Sequence, residues 1–198
     1  VLDAVEVLIG PAILCYHLTM HIKEPGTDAI IIWHQDDDYF HLSPAEQVTA
    51  WVALSDATVG AGCMRMVPGA HKQGLLPHIE DPQPNHLIRR GKGIFGRFEQ
   101  EDGVPVPVPA GSMSLHHTHT PHSSGPNRGA DRRIGVGICY VPAHVSPQTD
   151  PVSRALLVRR SDRYRHCHTE ERLVSAESPA ARDAHAIAYH YYMAATID

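Results

Sequence analysis

Hydrophobic positions along the chain recur at two spacings. In LDAVEVLI (2–9) they fall at Leu2, Val5, Leu8 and Ile9, a helical interval, and Gly10-Pro11 ends the run. Beyond that point the interval shortens to two. AILCYHLTMHIK (12–23) alternates in part and predicts a strand, and AIIIWHQ (29–35) reads as a buried one. EQVTAWVALSDA (46–57) sets Val48, Ala50, Val52 and Leu54 on one face and Thr49, Trp51 and Ala53 on the other. GAGCMRMVPGAHK (60–72) predicts a turn, a strand through Cys63 to Val67 and a Pro-Gly turn. Residues 73–92, rich in Pro, His, Asn and Gly, predict a long loop, followed by a short strand in GIFGRFEQ (93–100). GVPVPVPAGS (103–112) alternates Val with Pro; proline cannot donate to a ladder, so this segment is expected at an edge. SMSLHH (112–117) and RRIGVGICYVP (132–142) predict two further strands around the turn-rich SSGPNRGAD. The chain after Pro142 reads as irregular until Ser178-Pro179, a cap and first-turn pair, opens an alanine-rich helix to about Ala194.

Many short strands, Gly/Pro punctuation and a few peripheral helices predict a mainly β sandwich or jelly roll. Strands and helices do not alternate, which excludes a doubly wound sheet. A length of 198 residues suits one domain spanning 1–198 with a core of its own. Composition narrows the function classes. The net charge is −5 and Lys and Arg are scattered, so neither a nucleic-acid footprint nor a membrane-surface patch is expected. No apolar run reaches bilayer length and no signal-peptide pattern opens the chain. Cys15, Cys63, Cys139 and Cys167 are widely spaced, without a CxxC, and read as free thiols in a reducing, cytoplasmic setting. Sixteen histidines against three phenylalanines favour a metal protein.

The chemistry concentrates at IIWHQDDDYF (31–40). On an extended strand residues i and i+2 share a face, so His34 and Asp36 can close on one ion while Gln35 and Asp37 point elsewhere. An HxD alone is weak evidence, since a solvated strand end carries the same residues. LHHTHTPHSSGPN (115–127) supplies His116, His117, His119 and His122 as candidates for a third ligand, and the residues alone leave that choice open. Two histidines and a carboxylate leave positions free on the ion, the arrangement that suits non-haem Fe(II), whereas a closed zinc site needs a fourth ligand at matched spacing. Next along the chain stands Arg132-Arg133. Arg133 shares its strand face with Gly135, Gly137 and Cys139, a small face with room for a ligand; Arg132 shares the bulky face of Ile134, Val136 and Ile138. Parity therefore selects Arg133 to grip a carboxylate by two hydrogen bonds. Asp37 and Asp38 are candidates for the substrate mouth, Tyr39 and Phe40 for the pocket wall, and His71 reads as structural.

WHQDDDYF, VTAWVALSDATVGAGCMRMVPGAHKQGLLPH and GSMSLHHTHTPHSSGPNRGADRRIGVGICYVP together resemble the phytanoyl-CoA dioxygenase family of Fe(II)/2-oxoglutarate oxygenases, over about residues 20–160. The resemblance implies a double-stranded β-helix, a cupin-like jelly roll. It implies His34, Asp36 and His122 as metal ligands, Arg133 and Ser124 on the distal carboxylate of 2-oxoglutarate, and Trp51 flanking that cosubstrate. Lys23 falls in KEPG, at a Lys-Pro element of the family. His119 rivals His122 in a segment richer in histidine than the family pattern. Fe(II), 2-oxoglutarate and O2 are then the expected cofactor and cosubstrates, with succinate and CO2 released as a small-molecule metabolite is oxidised. Related halogenases replace the carboxylate ligand with a small residue; Asp36 favours hydroxylation, with desaturation or ring closure as alternatives. A non-catalytic jelly-roll binding module and a zinc hydrolase on the same triad are the rival classes. Family members usually carry a longer N-terminal region, so part of the family fold is expected to be missing. Substrate determinants are expected in 73–100 and in the tail after 143.

Overall fold

A computed structural model describes residues 1–80, 85–88, 91–99, 101–148, 153–172, 175 and 178–195. Two antiparallel sheets form the jelly roll. The larger runs, in spatial order, through His168–Thr169, Arg154–Arg159, Ile13–Lys23, Arg133–Pro142, Val48–Ala53 and Met113–His117, its first pair alone being parallel. The smaller runs through Ile31–His34, His122–Ser124, Met64–Met66 and Val104–Val106. The Val-Pro segment is thus an edge strand, as its missing donors require.

Alternation sets what lies between the sheets. Arg133, Gly135, Gly137 and Cys139 are buried, while Ile134, Val136 and Ile138 on the opposite face are only partly covered. Trp51, Ala53, Cys63, Met64 and Val108 form one core cluster inside the roll. A second cluster lies outside the large sheet. There the N-terminal helix Leu2–Ile9 packs fully buried Val5 against Ile13, Ala50 and Tyr140. Gly10, at φ 84°, ends that helix and donates its N–H to Glu6 O at 2.9 Å. Arg159 ties the helix to the sheet through Asp3 at 2.6 Å and through Glu6.

Four expectations need correction. The strand at 29–35 is shorter, Ile31–His34, and Asp36 has helical backbone (φ −61°, ψ −34°) at the start of the turn Asp37–Phe40. His122, outside every strand predicted from the sequence, begins one, because it pairs with His34 on one side and Met66 on the other. The short strand expected in 93–100 is instead Lys92–Gly93, paired with Ile79–Glu80; Gln100 lies outside the described residues, as do 81–84 and 89–90 of the predicted loop. The tail after Pro142 is not irregular throughout: Arg154–Arg159 pairs with Ile13–Cys15. The closing helix is present at Pro179–Ala195, with Ser178 Oγ accepting from the Ala181 N–H at 3.1 Å. No helix among the described residues is long and apolar enough to cross a membrane, and all four cysteines are free.

Candidate metal centre and cosubstrate pocket

A cavity of about 380 Å³ opens between the sheets, and His34, Asp36 and His122 stand on its wall. His34 and His122 face each other across one rung of the small sheet, with ring centroids 4.1 Å apart. Each ring is turned by its own backbone. Nδ1 of His34 bonds to Ile32 O at 2.9 Å, and Nδ1 of His122 to Thr120 O at 2.9 Å. An Nδ1–H that donates to a carbonyl leaves the Nε2 lone pair free. Those two Nε2 atoms lie 3.8 and 3.7 Å from Asp36 Oδ1, and the three ligand atoms are mutually within 4.8 Å.

Electrostatics prepares the three groups for a cation. Burial, then the neighbouring His122, holds His34 well below the usual histidine range. Burial lowers His122 to about 4. Both rings are therefore neutral at pH 7, the form in which imidazole binds metal. Burial alone would raise the Asp36 carboxyl; the surrounding imidazoles, His122 first and then His116 and His34, outweigh it and set the carboxyl well below the usual carboxylate range.

Asp36 uses its two oxygens differently. Oδ1 faces the imidazole pair. Oδ2 accepts from Thr49 Oγ1 at 2.7 Å and from Gln47 Nε2 at 3.4 Å, and Nε2 of buried His116 stands 3.5 Å away. Gln47 also donates to Thr49 Oγ1 at 3.1 Å. Sequence reasoning grouped Thr49 with Trp51 on one strand face and left both Gln47 and this role unassigned; the same alternation, extended one step, reaches Gln47.

A second polar group lies where Arg133, Ser124 and Trp51 line the same cavity. Trp51 spreads over Gly135, where a Cβ would come within 2.0 Å of Trp51 Cζ2, and its ring centroid lies 5.1 Å from the Arg133 guanidinium carbon. Arg133 is 1% exposed; it donates Nη1 to Gly62 O at 2.9 Å, and its buried Nε has no partner. Lys23, fully buried, donates Nζ to Ser124 Oγ at 2.7 Å, to Ser124 O at 3.0 Å and to Gly125 O. Neither cation has a carboxylate partner among the described residues. Burial and Arg133 lower Lys23 to about 7, and burial lowers Arg133 to about 10. Buried cations need a counter-anion, and an unpaired guanidinium edge fits a carboxylate.

The remaining predicted residues divide. Tyr39 and Phe40 line the cavity as expected, with Leu87 and Ile88 from the 73–100 segment. His119 does not compete with His122: its Nε2 lies 2.9 Å from Asp37 Oδ2, outside the cluster. Asp37 and Asp38 are absent from the cavity wall. Asp37 serves His119 and the Leu42 N–H, and Asp38 lies 3.7 Å from His78 and 3.9 Å from Lys92. Gln35 points away from the ion site, bonding Gly74 O, His119 O and the Leu76 N–H. His71 packs against His117, ring centroids 5.7 Å apart, clear of the cavity.

A jelly roll with two neutral imidazoles and a carboxylate at one point of its cavity, and a buried arginine without a carboxylate partner on the same wall, has the donor set and architecture of a mononuclear non-haem metal protein. The family model for phytanoyl-CoA dioxygenase matches residues 1–135, and the chain belongs to that family. A phytanoyl-CoA dioxygenase of Arabidopsis thaliana is 32% identical over 124 residues, covering 60% of this chain and 41% of that protein. The solved structure of the non-heme monooxygenase ThoJ, in its apo form, superposes with a TM-score of 0.84 at 32% identity, over 98% of this chain and 71% of that one. The epimerase SnoN, solved with Fe3+, alpha ketoglutarate and nogalamycin RO, gives a TM-score of 0.57 at 30% identity, over 74% of this chain and 57% of that one. The chain spans about half the length, or less, of the curated relatives it matches.

Proposed function

We propose that residues 1–198 form the catalytic domain of an Fe(II)- and 2-oxoglutarate-dependent oxygenase that hydroxylates an aliphatic carbon of a small molecule. His34, Asp36 and His122 hold the iron; Arg133, Ser124 and Trp51 hold the cosubstrate. One observation carries this reading: the triad shares its cavity with a buried guanidinium whose Nε has no partner. A zinc hydrolase on the same triad gives that arginine no task.

When bound, Fe(II) with 2-oxoglutarate and O2 supplies the oxidation of an unreactive C–H bond, releasing succinate and CO2. The chain's own groups bind, orient and exclude water. His34 and His122 offer Nε2 lone pairs, and Asp36 offers one oxygen. Arg133 meets the distal carboxylate with its free edge. Ser124 receives the Lys23 ammonium at Oγ, so its hydroxyl hydrogen is left to donate to that carboxylate. Trp51 holds the guanidinium flat from the other side. Tyr39, Phe40, Leu87 and Ile88 give the substrate side an apolar wall, which suits an aliphatic carbon. The retained carboxylate at Asp36 and the likeness to a monooxygenase favour hydroxylation; the likeness to an epimerase makes product analysis part of the test.

The test is succinate release from 2-oxoglutarate under oxygen, with and without added Fe(II), across a panel of small metabolites. Turnover that needs both iron and oxygen is expected, and Asp36→Ala should lower it by at least about 100-fold. Normal turnover by that variant would overturn the ligand assignment.

A further inference from the structure

One oxygen of Asp36, Oδ1, faces the two Nε2 atoms of the triad. The other is held by more of the protein than its mere satisfaction requires. Thr49 donates to it at 2.7 Å, Gln47 reaches both Thr49 and the same oxygen, and the buried ring of His116 brings Nε2 to 3.5 Å. Neither ring nitrogen of His116 has a hydrogen-bond partner, although the residue is 6% exposed. An unpaired buried imidazole is costly, so its position calls for a reason. It is not a fourth ligand, because the cluster whose atoms meet within 4.8 Å contains only His34, Asp36 and His122 among the described residues. Its ring lies beside His122, centroids 4.6 Å apart, on the Oδ2 side of the carboxylate.

We propose that Thr49 and His116 are positioning residues that clamp Asp36 Oδ2, keeping the carboxylate a one-oxygen ligand so that the ion's other positions stay open for 2-oxoglutarate and O2. The inference rests on the triad being the metal site. A carboxylate free to swing can bind an ion through both oxygens and take up a position that the cosubstrate needs. Two donors converging on Oδ2, with the His116 ring standing against the same oxygen, oppose that swing. They also draw density from Oδ2, while Oδ1 keeps its aim at the two Nε2 atoms. Thr49 lies on the strand Val48–Ala53 and Gln47 just before it, and His116 lies on the neighbouring strand, directly paired with Thr49. The clamp is therefore built into the backbone register.

The experiment uses Co(II) as a probe for the site. Wild type, Thr49→Val, His116→Phe and His116→Gln are titrated with the metal alone and then with 2-oxoglutarate, following the visible d–d bands, with thermal melts as a folding control. Thr49→Val, isosteric and lacking the donor, should bind Co(II) about 10-fold more weakly or more. Its bands should be altered before 2-oxoglutarate is added, and the spectral change on adding it should shrink. His116→Phe should alter the bands in the same sense, and His116→Gln, which keeps an N–H donor, should recover part of the wild-type spectrum. Folded Thr49→Val and His116→Phe proteins with wild-type affinity, bands and 2-oxoglutarate response would overturn the clamp. Loss of Co(II) binding only in a His34→Ala control leaves the triad standing in that case. Binding unaffected by His34→Ala would sink the triad itself. If His116→Phe does not fold, Thr49→Val decides.

Discussion

Gly135 shows how one missing side chain arranges the proposed cosubstrate pocket. A Cβ there would meet Trp51 Cζ2 at 2.0 Å, and the ring that occupies the space is the one against Arg133. Gly135→Ala should cost about 1–3 kcal/mol in urea unfolding, the usual price of overpacking. It should also raise the KM for 2-oxoglutarate several-fold while leaving Co(II) affinity near wild type, because the indole moves and the triad does not. The residue scale is also where the sequence was most legible. Strand parity set Arg133 apart from Arg132, and the structure buries Arg133 on the cavity wall while Arg132 lies at the surface against Glu24. The pairing of His34 with Asp36 was read from the same parity, yet the backbone at Asp36 is helical, so the two converge for a different reason. The carboxylate is drawn in by Thr49 and Gln47, which are 13 and 11 residues away, and no local pattern reports a contact of that kind. His116 was one of four histidines in a row of candidates, and only tertiary packing distinguishes it from His117 and His119.

At the scale of elements, the jelly roll follows from alternation, and the departures have identifiable causes. Arg154–Arg159 is a strand of four apolar residues between arginines; its pairing with Ile13–Cys15 and the Arg159 contacts to Asp3 and Glu6 supply what its pattern lacks. The N-terminal helix was legible because Leu2, Val5 and Ile9 recur at the helical interval and meet one apolar sheet face. Val5 is its anchor. Val5→Ala should destabilise the fold by about 1–3 kcal/mol, while Leu8→Ala, at a position 58% exposed, should change it by less than about 0.5 kcal/mol. Paired denaturation curves of the two variants check this, and turnover should be unchanged in both, since the helix packs on the face away from the cavity.

For the whole molecule, the interior is rich in imidazole that must stay neutral. His21, on the cavity wall, is lowered to about 4, first by burial and then by Arg133. An unfolded His21 titrates near its ordinary value of 6.5, so between pH 6.5 and 4 the unfolded chain holds more protons than the folded one. Stability therefore falls as pH drops through that window and levels off below it; the contribution of this residue is on the order of 1–3 kcal/mol. Urea midpoints of the metal-free protein at pH 7, 5.5 and 4.5 should fall in that order, and His21→Gln should flatten the slope.

The rung that seats His34 opposite His122 joins chain positions far apart in sequence. The two backbones cannot part without breaking main-chain hydrogen bonds of the small sheet, so the imidazoles are brought face to face only once that sheet has formed. On the proposed ligand assignment, metal uptake therefore reports on whether that sheet has zipped shut.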